Sequence, residues 1–296
     1  MAATHVEVES RQLRLTNLDK VLYPVPGFTK GQVIDYYTRV APYVLPHLKG
    51  RPLTLKRYPN GVEGGHFYEK QCPSHRPDWV KSAEIPVSTK TIDFCLCEDL
   101  PTLVWLANLA DLELHPSLSK AAAIEHPTTL AFDLDPGEPA GIMECCEVAC
   151  LLRELLDQLG LECFPKTSGS KGMQVYAPLD GAATYDQTKP LSQALARHLE
   201  GRNPKLVVSS QKKELRKGKV LVDWSQNDEH KTTVCVYSLR AREHPTVSTP
   251  LTWDEVEGAS EPGDLRFEAA DVLERTAEQG DLFAPVVELE QALPEL

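Results

Sequence analysis

Apolar and polar positions follow two different regimes along the chain. From residue 128 onward they alternate in blocks with the lengths of strands and helices. Residues 128–133 read as a short apolar strand, and an amphipathic helix over 142–159 follows, stopped by Gly160. Strands at 163–167 and 173–178 come next, joined by the turn Ser168-Gly-Ser-Lys-Gly172. A second helix spans roughly 188–200, and strands at 206–209 and 219–223 close the series. The order βαββαβ predicts a split βαβ unit of the ferredoxin or RRM type. In that topology the first and third strands lie side by side at the sheet centre, which sets Gln174 next to Asp133 and Asp135.

Before residue 120 the pattern is mixed. Residues 13–24 read as strand and loop, and Thr29 can cap a helix through Val33, Ile34, Tyr36, Tyr37 and Val40. Residues 51–58 form a strand candidate closed by Pro59-Asn60-Gly61, and 88–96 form another. Asp99 and Pro101 start a helix through Leu103, Leu106 and Leu109, and 112–115 is extended up to Pro116. The expected fold is α+β, with an N-terminal α/β lobe over about 10–120 and the RRM-like unit over about 121–252. Residues 253–296 form an acidic segment of helix and loop, packed on or trailing that body.

Composition changes this picture in two places. The net charge of −12 argues at first against a nucleic-acid partner, but thirteen acidic residues after position 252, against Arg266 and Arg275, account for −11 of it. Residues 1–252 are nearly neutral, with positive charge gathered at Lys49, Arg51, Lys56 and Arg57 and again at Lys212, Lys213, Arg216, Lys217 and Lys219. Such clusters are solvated surface or phosphate contacts. The eight cysteines contain no C-x₂-C pair and read mostly as small buried hydrophobes in a reducing compartment. No apolar run reaches membrane-spanning length and residues 1–14 are polar, so a cytoplasmic protein with no membrane partner is expected.

The candidate chemistry begins where the strand at 128 ends. Asp133 and Asp135 are two apart, hence on one face, and repel each other unless a cation sits between them. Oxygen-only ligands suit Mg²⁺ or Mn²⁺; a turn-capping pair before Pro136-Gly137 is the plainer alternative. Asp223 ends another apolar strand, and three such carboxylates on one sheet can hold two divalent cations. The turn at 168–172 can form an anion-binding nest, with Ser168, Ser170 and Lys171 adding donors, although it lacks Walker spacing. Arg240 and Arg242, read as one strand face, can grip phosphate, and His115 ends an apolar extended segment.

These residues carry a resemblance. Phe132-Asp-Leu-Asp-Pro-Gly137, Thr167-Ser-Gly-Ser-Lys-Gly172 and Val222-Asp-Trp-Ser-Gln-Asn227, in this order, resemble the three active-site motifs of the archaeo-eukaryotic primase superfamily. They are most similar to the polymerase domain of bacterial DNA ligase D, which acts in non-homologous end joining. Asn17-Leu-Asp-Lys-Val-Leu-Tyr-Pro24, Arg57 to Val62, Phe67 to Gln71, Leu112 to His115, Tyr237 to Arg242 and His244 to Val247 extend the likeness over roughly residues 10–285.

The resemblance implies a primase fold built around a central cleft and a DNA-dependent nucleotidyltransferase that adds rNTPs, and less readily dNTPs, at gaps or breaks. Asp133, Asp135 and Asp223 would hold two Mn²⁺ (or Mg²⁺) ions. Ser168, Ser170, Lys171, Gln174, Lys56, Arg57, Arg216, Gln226, Arg240 and Arg242 would bind the nucleotide, with His115 on its sugar. Asn17, Lys20 and Lys30 match the pocket for a downstream 5′-phosphate, and Phe67 and Tyr68 an aromatic pair that stacks on the template. Ku, a separate ligase and a bacterial nucleoid setting are the implied context, because the chain has no room for ligase or nuclease domains. One residue departs from the pattern: Gln174 stands where the second motif usually has His, and it can donate a hydrogen bond but neither carry charge nor move a proton. Two other readings stay open, a non-catalytic DNA-end binder with a decayed site and a metal-dependent phosphoesterase.

Overall fold

The computed structural model describes residues 3–88 and 90–294. Thr89, which the sequence places in a strand, residues 1 and 2, and residues 295 and 296 of the predicted acidic segment lie outside the described residues. Two compact units emerge. The first comprises Met1–Ser117, Val234–Ser248 and Phe267–Asp281, and the second Leu118–Thr233, Thr249–Arg266 and Leu282–Leu296. The acidic C-terminal stretch is thus shared between the two units. Among the described residues no helix is long and apolar enough to cross a membrane.

In the first unit, strands β1 (Ala3–Val8) and β2 (Arg11–Thr16) form a hairpin, and β3 (Val21–Tyr23) pairs with β4 (Phe28–Thr29). Helix α1 (Lys30–Leu48) starts at a capping box in which Thr29 and Gln32 satisfy each other's backbone N–H groups. Its buried stripe, Val33, Tyr36, Tyr37, Val40, Val44 and Leu48, has helical spacing. Tyr37 donates to the carbonyl of Leu112 at 2.7 Å and Tyr36 to that of Tyr237 at 2.8 Å. A buried hydroxyl needs a partner, so these two side chains hold the backbone at Leu112 and at Tyr237, on either side of the unit's charged cluster.

Strand β5 (Leu53–Arg57) lies along β9 (Asp111–Pro116), and also pairs with β6 (Phe67–Glu69) and, at Leu53, with β8 (Lys90–Cys95). The strand predicted at 88–96 is one arm of a hairpin with β7 (Ser82–Val87), because Ser88 turns the chain at φ +51°. Helix α2 (Leu100–Asn108) begins at Asp99, whose carboxylate caps Thr102. Cys72 and Cys95 form a disulfide across 23 residues. Most cysteines are expected to be small buried hydrophobes, and five of the six free thiols are buried, with Cys150 half-buried; the disulfide itself is not expected.

The second unit is built on the sheet β11-β12-β10-β14-β13, with β10 (Thr129–Pro136), β11 (Phe164–Thr167), β12 (Met173–Pro178), β13 (Val207–Val208) and β14 (Val220–Asp223). As the element order predicts, β10 and β12 are neighbours. Strand β10 runs three residues past the predicted stop, because Asp135 and Pro136 find partners in Leu221 and Val220. Helices α3 (Ile142–Gln158) and α4 (Tyr185–Arg202) pack on this sheet. Along β10, Phe132 and Leu134 are fully buried, whereas Asp133 and Asp135 alternate with them and are accessible. The helix predicted at 188–200 begins earlier because Thr184 and Gln187 form a capping box. Short helices Trp253–Gly258 and Pro285–Glu288 complete this unit, and Ala269–Gln279 belongs to the first.

Two glycines let other segments press onto β10. A Cβ on Gly172 would sit 2.1 Å from the Leu134 carbonyl oxygen, and one on Gly137 at 2.1 Å from that of Arg216. Both clashes are with backbone, which cannot swing away. Gly172→Ala is therefore expected to lower the unfolding free energy in urea by roughly 1–3 kcal/mol. Gly201→Ala in α4, where nothing lies within 4 Å, should raise it by about 0.5 kcal/mol. Equal midpoints for the two variants would contradict this account.

Candidate active site

Asp133 faces Asp223 across β14 and Gln174 across β12, and Asp135 follows on the same face. Like charges directly opposite in a sheet repel. Burial pushes the Asp133 carboxyl up to about 6, and Asp223 and Asp135 push it further, against the Gln174 hydrogen bond and the charge of Lys166. Each carboxylate is held by protein donors. Asp133 Oδ1 accepts from Gln174 Nε2 at 3.0 Å, and Asp135 Oδ2 lies 3.3 Å from an Arg216 guanidinium nitrogen. Asp223 Oδ1 accepts from Gln211 Nε2 (2.7 Å), Ser225 N (2.9 Å) and Ser225 Oγ (2.6 Å), and its Oδ2 from Gln226 Nε2 (3.0 Å).

Among the described residues no three His, Cys, Asp or Glu side chains are gathered into a ready metal cage. The donor chemistry nonetheless fits a hard divalent cation: three carboxylates on neighbouring strands, one of them with its proton affinity raised by burial and then by the other two. Gln211 and Asn227 are residues that sequence reading missed. Asn227 bridges its amide to both the N–H and the C=O of Ala131, at 3.0 and 2.8 Å, and so fixes the β14 end against β10.

The turn after β11 is closed from inside. Ser168 Oγ accepts from the N–H groups of Ser170 and Gly172, each at 3.2 Å, and Gly169 sits at φ +66°. Two of the amides that the predicted nest would use are thus turned onto Ser168. Lys171 reaches Glu138 at 2.9 Å on the surface.

In the first unit, Lys56 and Arg57 lie at the end of β5, opposite Tyr68 and Phe67 of β6. The Lys56 ammonium stands 5.4 Å from the Tyr68 ring centroid, and the Arg57 guanidinium 5.2 Å from that of Phe67. Both aromatics are exposed. Asp111, fully buried, accepts from the Lys56 N–H at 2.7 Å beside the bulge between Lys56 and Arg57.

The organiser of this cluster is Glu113, which sequence reading treated only as part of a motif. It is 2% exposed and accepts from Lys56 Nζ (3.1 Å), Tyr58 OH (3.2 Å), His115 Nε2 (3.1 Å) and Ala241 N (3.1 Å), with Arg240 Nε at 3.3 Å. Burial raises its carboxyl, but His115, Arg240 and Lys56 outweigh that and hold it well below the usual range. Burial lowers His115 below its ordinary value, Arg240 and Lys56 lower it further, and Glu113 opposes them. A neutral imidazole that gives its Nε2 hydrogen to Glu113 keeps Nδ1 as an acceptor. Arg240 and Arg242 do not share a strand face as predicted. The N–H of Arg242 bonds to the carbonyl of Arg240 at 2.9 Å, a tight turn that breaks the alternation and leaves Arg242 exposed.

The predicted phosphate pocket of this unit is compact in backbone terms. The N–H of Lys20 bonds to the Asn17 carbonyl (3.0 Å), and that of Lys30 to the Lys20 carbonyl (2.8 Å), with Asn17 at φ +55°. Lys30 is 5% exposed; burial, then Lys20 and Arg57, bring its ammonium down to about 8. Its Nζ donates to the Thr16 carbonyl oxygen at 2.6 Å.

A carboxylate-bearing central strand in a mixed α+β sheet of split βαβ order is the architecture of the primase-polymerase class of nucleotidyltransferase, and the comparisons with known proteins place the chain there. The family described as "LigD, primase-polymerase domain" matches residues 29–283, and the chain belongs to it. It is 44% identical over 277 residues to the multifunctional non-homologous end joining protein LigD of Mycolicibacterium smegmatis, covering 93% of this chain and 36% of that protein. The bifunctional LigD of Bacillus subtilis is 34% identical over 270 residues, covering 91% of this chain and 43% of that protein. The chain therefore spans less than half the length of these curated relatives. A solved structure described as "Polymerase Domain from Mycobacterium tuberculosis Ligase D in complex with DNA" superposes with a TM-score of 0.88 at 40% identity, covering 94% of this chain and 99% of that one.

Removing the charge of Glu113 leaves buried cations unpaired, so Glu113→Gln should cost about 3–5 kcal/mol at pH 7. Glu113 has its folded-state affinity for protons lowered, so its stabilisation is present above 4.5 and lost as pH falls below that. His115, also lowered, favours unfolding as pH falls through 6.5. Chemical denaturation between pH 7 and 3 should show the wild type weakening throughout and its margin over Glu113→Gln narrowing only below about 4.5. A margin independent of pH would contradict the assignment.

Proposed function

We propose that the chain extends DNA primer 3′ ends at gaps or double-strand breaks, adding rNTPs in preference to dNTPs, in repair by end joining. The observation that carries this reading is the row of carboxylates on β10 and β14, Asp133, Asp135 and Asp223. Two Mn²⁺ (or Mg²⁺) ions held by these three would activate the primer hydroxyl and neutralise charge on the α-phosphate.

The chain's own residues bind and orient. Ser168, Ser170 and Lys171 on the closed turn, with Arg216 and Gln226 beside the aspartates, receive the triphosphate; Lys56, Arg57, Arg240 and Arg242 add positive charge. His115 offers its Nδ1 lone pair to a ribose hydroxyl, a contact that a deoxyribose cannot return. Asn17, Lys20 and Lys30 take the 5′-phosphate on the far side of a gap, where the mutual repulsion of the lysines and Arg57 is relieved by the anion. Phe67 and Tyr68 offer exposed rings to template bases. Ku and a DNA ligase activity are the expected partners, in the bacterial cytoplasm.

Extension of a primer on gapped, 5′-phosphorylated DNA with Mn²⁺ tests this directly. Asp135→Ala is expected to lose about a hundredfold or more in rate. His115→Ala is expected to lower the ratio of rNTP to dNTP incorporation. A wild-type chain that binds the 5′-phosphorylated end tightly and incorporates neither nucleotide would establish an end-binding protein instead, and cleavage without synthesis a phosphoesterase.

A further inference from the structure

Gln174 stands where the family's second motif usually places His, and its surroundings account for both ends of its amide. Lys166 on β11 lies opposite it in register, 1% exposed, with Nζ 2.6 Å from Gln174 Oε1. The same ammonium lies 5.4 Å from the Tyr176 ring centroid, and the Tyr176 hydroxyl is 3.5 Å from that amide oxygen. An ammonium has only hydrogens to give, so the oxygen of the amide must face it and the nitrogen must point away. There Nε2 donates to Asp133 Oδ1 at 3.0 Å and to Thr233 Oγ1 at 3.1 Å. Both amide hydrogens are taken, and none is left for a triphosphate oxygen. Lys166, Gln174 and Asp133 form one cross-strand row through β11, β12 and β10.

We propose that Lys166 and Gln174 act as a positioning relay for Asp133, orienting its carboxylate toward a divalent cation, and that Gln174 does not contact the nucleotide. The inference rests on Asp133 being a metal ligand, as in the function proposed above. Lys166 orients the amide, and the amide orients the carboxylate. The positive charge that Gln lacks relative to a protonated His is supplied one hydrogen bond further back. Partners behind metal ligands of this kind commonly contribute ten- to a hundredfold in metal affinity.

The test measures Mn²⁺ binding by calorimetry on the full chain without DNA or nucleotide, alongside primer extension. Gln174→Ala and Lys166→Met should each weaken Mn²⁺ binding by about tenfold or more. The double variant should be no worse than either, because the two act as one unit. At saturating Mn²⁺ the KM for rNTP should stay within about twofold of the wild type, since no contact with the nucleotide is lost. Gln174→His placed on Lys166→Met should recover binding, as an imidazole can donate to Asp133 without a lysine to orient it. Circular dichroism melts check folding; Gln174→Asn, neutral and too short to span Lys166 and Asp133, gives the same reading if Lys166→Met does not fold.

A tenfold rise in nucleotide KM with unchanged Mn²⁺ binding would overturn the relay, as would losses that simply add. If the wild type binds no Mn²⁺ and extends no primer, the polymerase reading fails and the relay with it. If the wild type does both and the variants match it, the relay alone fails.

Discussion

Three carboxylates have to be kept together on a sheet whose other face is dry. Electrostatics opposes this, since Asp133 and Asp223 are direct cross-strand neighbours and Asp135 is next in line. What holds them is the apolar register. Phe132, Leu134 and Val222 are fully buried, and a slip of one residue would send them to solvent and the aspartates into the core. The hydrophobic effect thus fixes an arrangement that charge alone would push apart. Around it the chain places donors, Gln174, Gln211, Ser225, Gln226 and Arg216, so that each carboxylate has hydrogen-bond or ionic partners.

The other unit solves the converse problem. One buried anion, Glu113, is surrounded by the ammonium of Lys56, the guanidinium of Arg240, a tyrosine hydroxyl and a neutral imidazole. A carboxylate in such a place is tolerated only with several partners at once. Each partner is oriented by it in turn, which gives Lys56 on β5 and Arg240 in its turn defined directions. The tyrosines of α1 hold the backbone on either side of this cluster.

The two arrangements differ in what an incoming ligand would meet. Near the aspartates the protein presents excess negative charge, and one carboxyl has its affinity for protons raised by burial and then by its two neighbours. At Lys20, Lys30 and Arg57 it presents the reverse, an ammonium weakened by burial and then by its neighbours.

The chain's sequence determined what depends on neighbours within about four residues, the apolar strand leading to Asp133, the Thr29 cap and the Ser168 turn, and the order of these local elements predicted that Gln174 lies beside Asp133. Motifs of that length also carried the family. Strand ends were misplaced where pairing across the sheet overrode local turn chemistry, as at Asp135 and Pro136, and Arg240 and Arg242 parted because a turn replaced the expected strand. Only the folded chain decided that Cys72 meets Cys95, that Glu113 gathers Lys56, His115 and Arg240, that Lys166 stands behind Gln174, and that Gly137 and Gly172 leave room for backbone. Each of these joins residues brought together by packing and register, and free energies of that origin leave no local pattern in the sequence to be read.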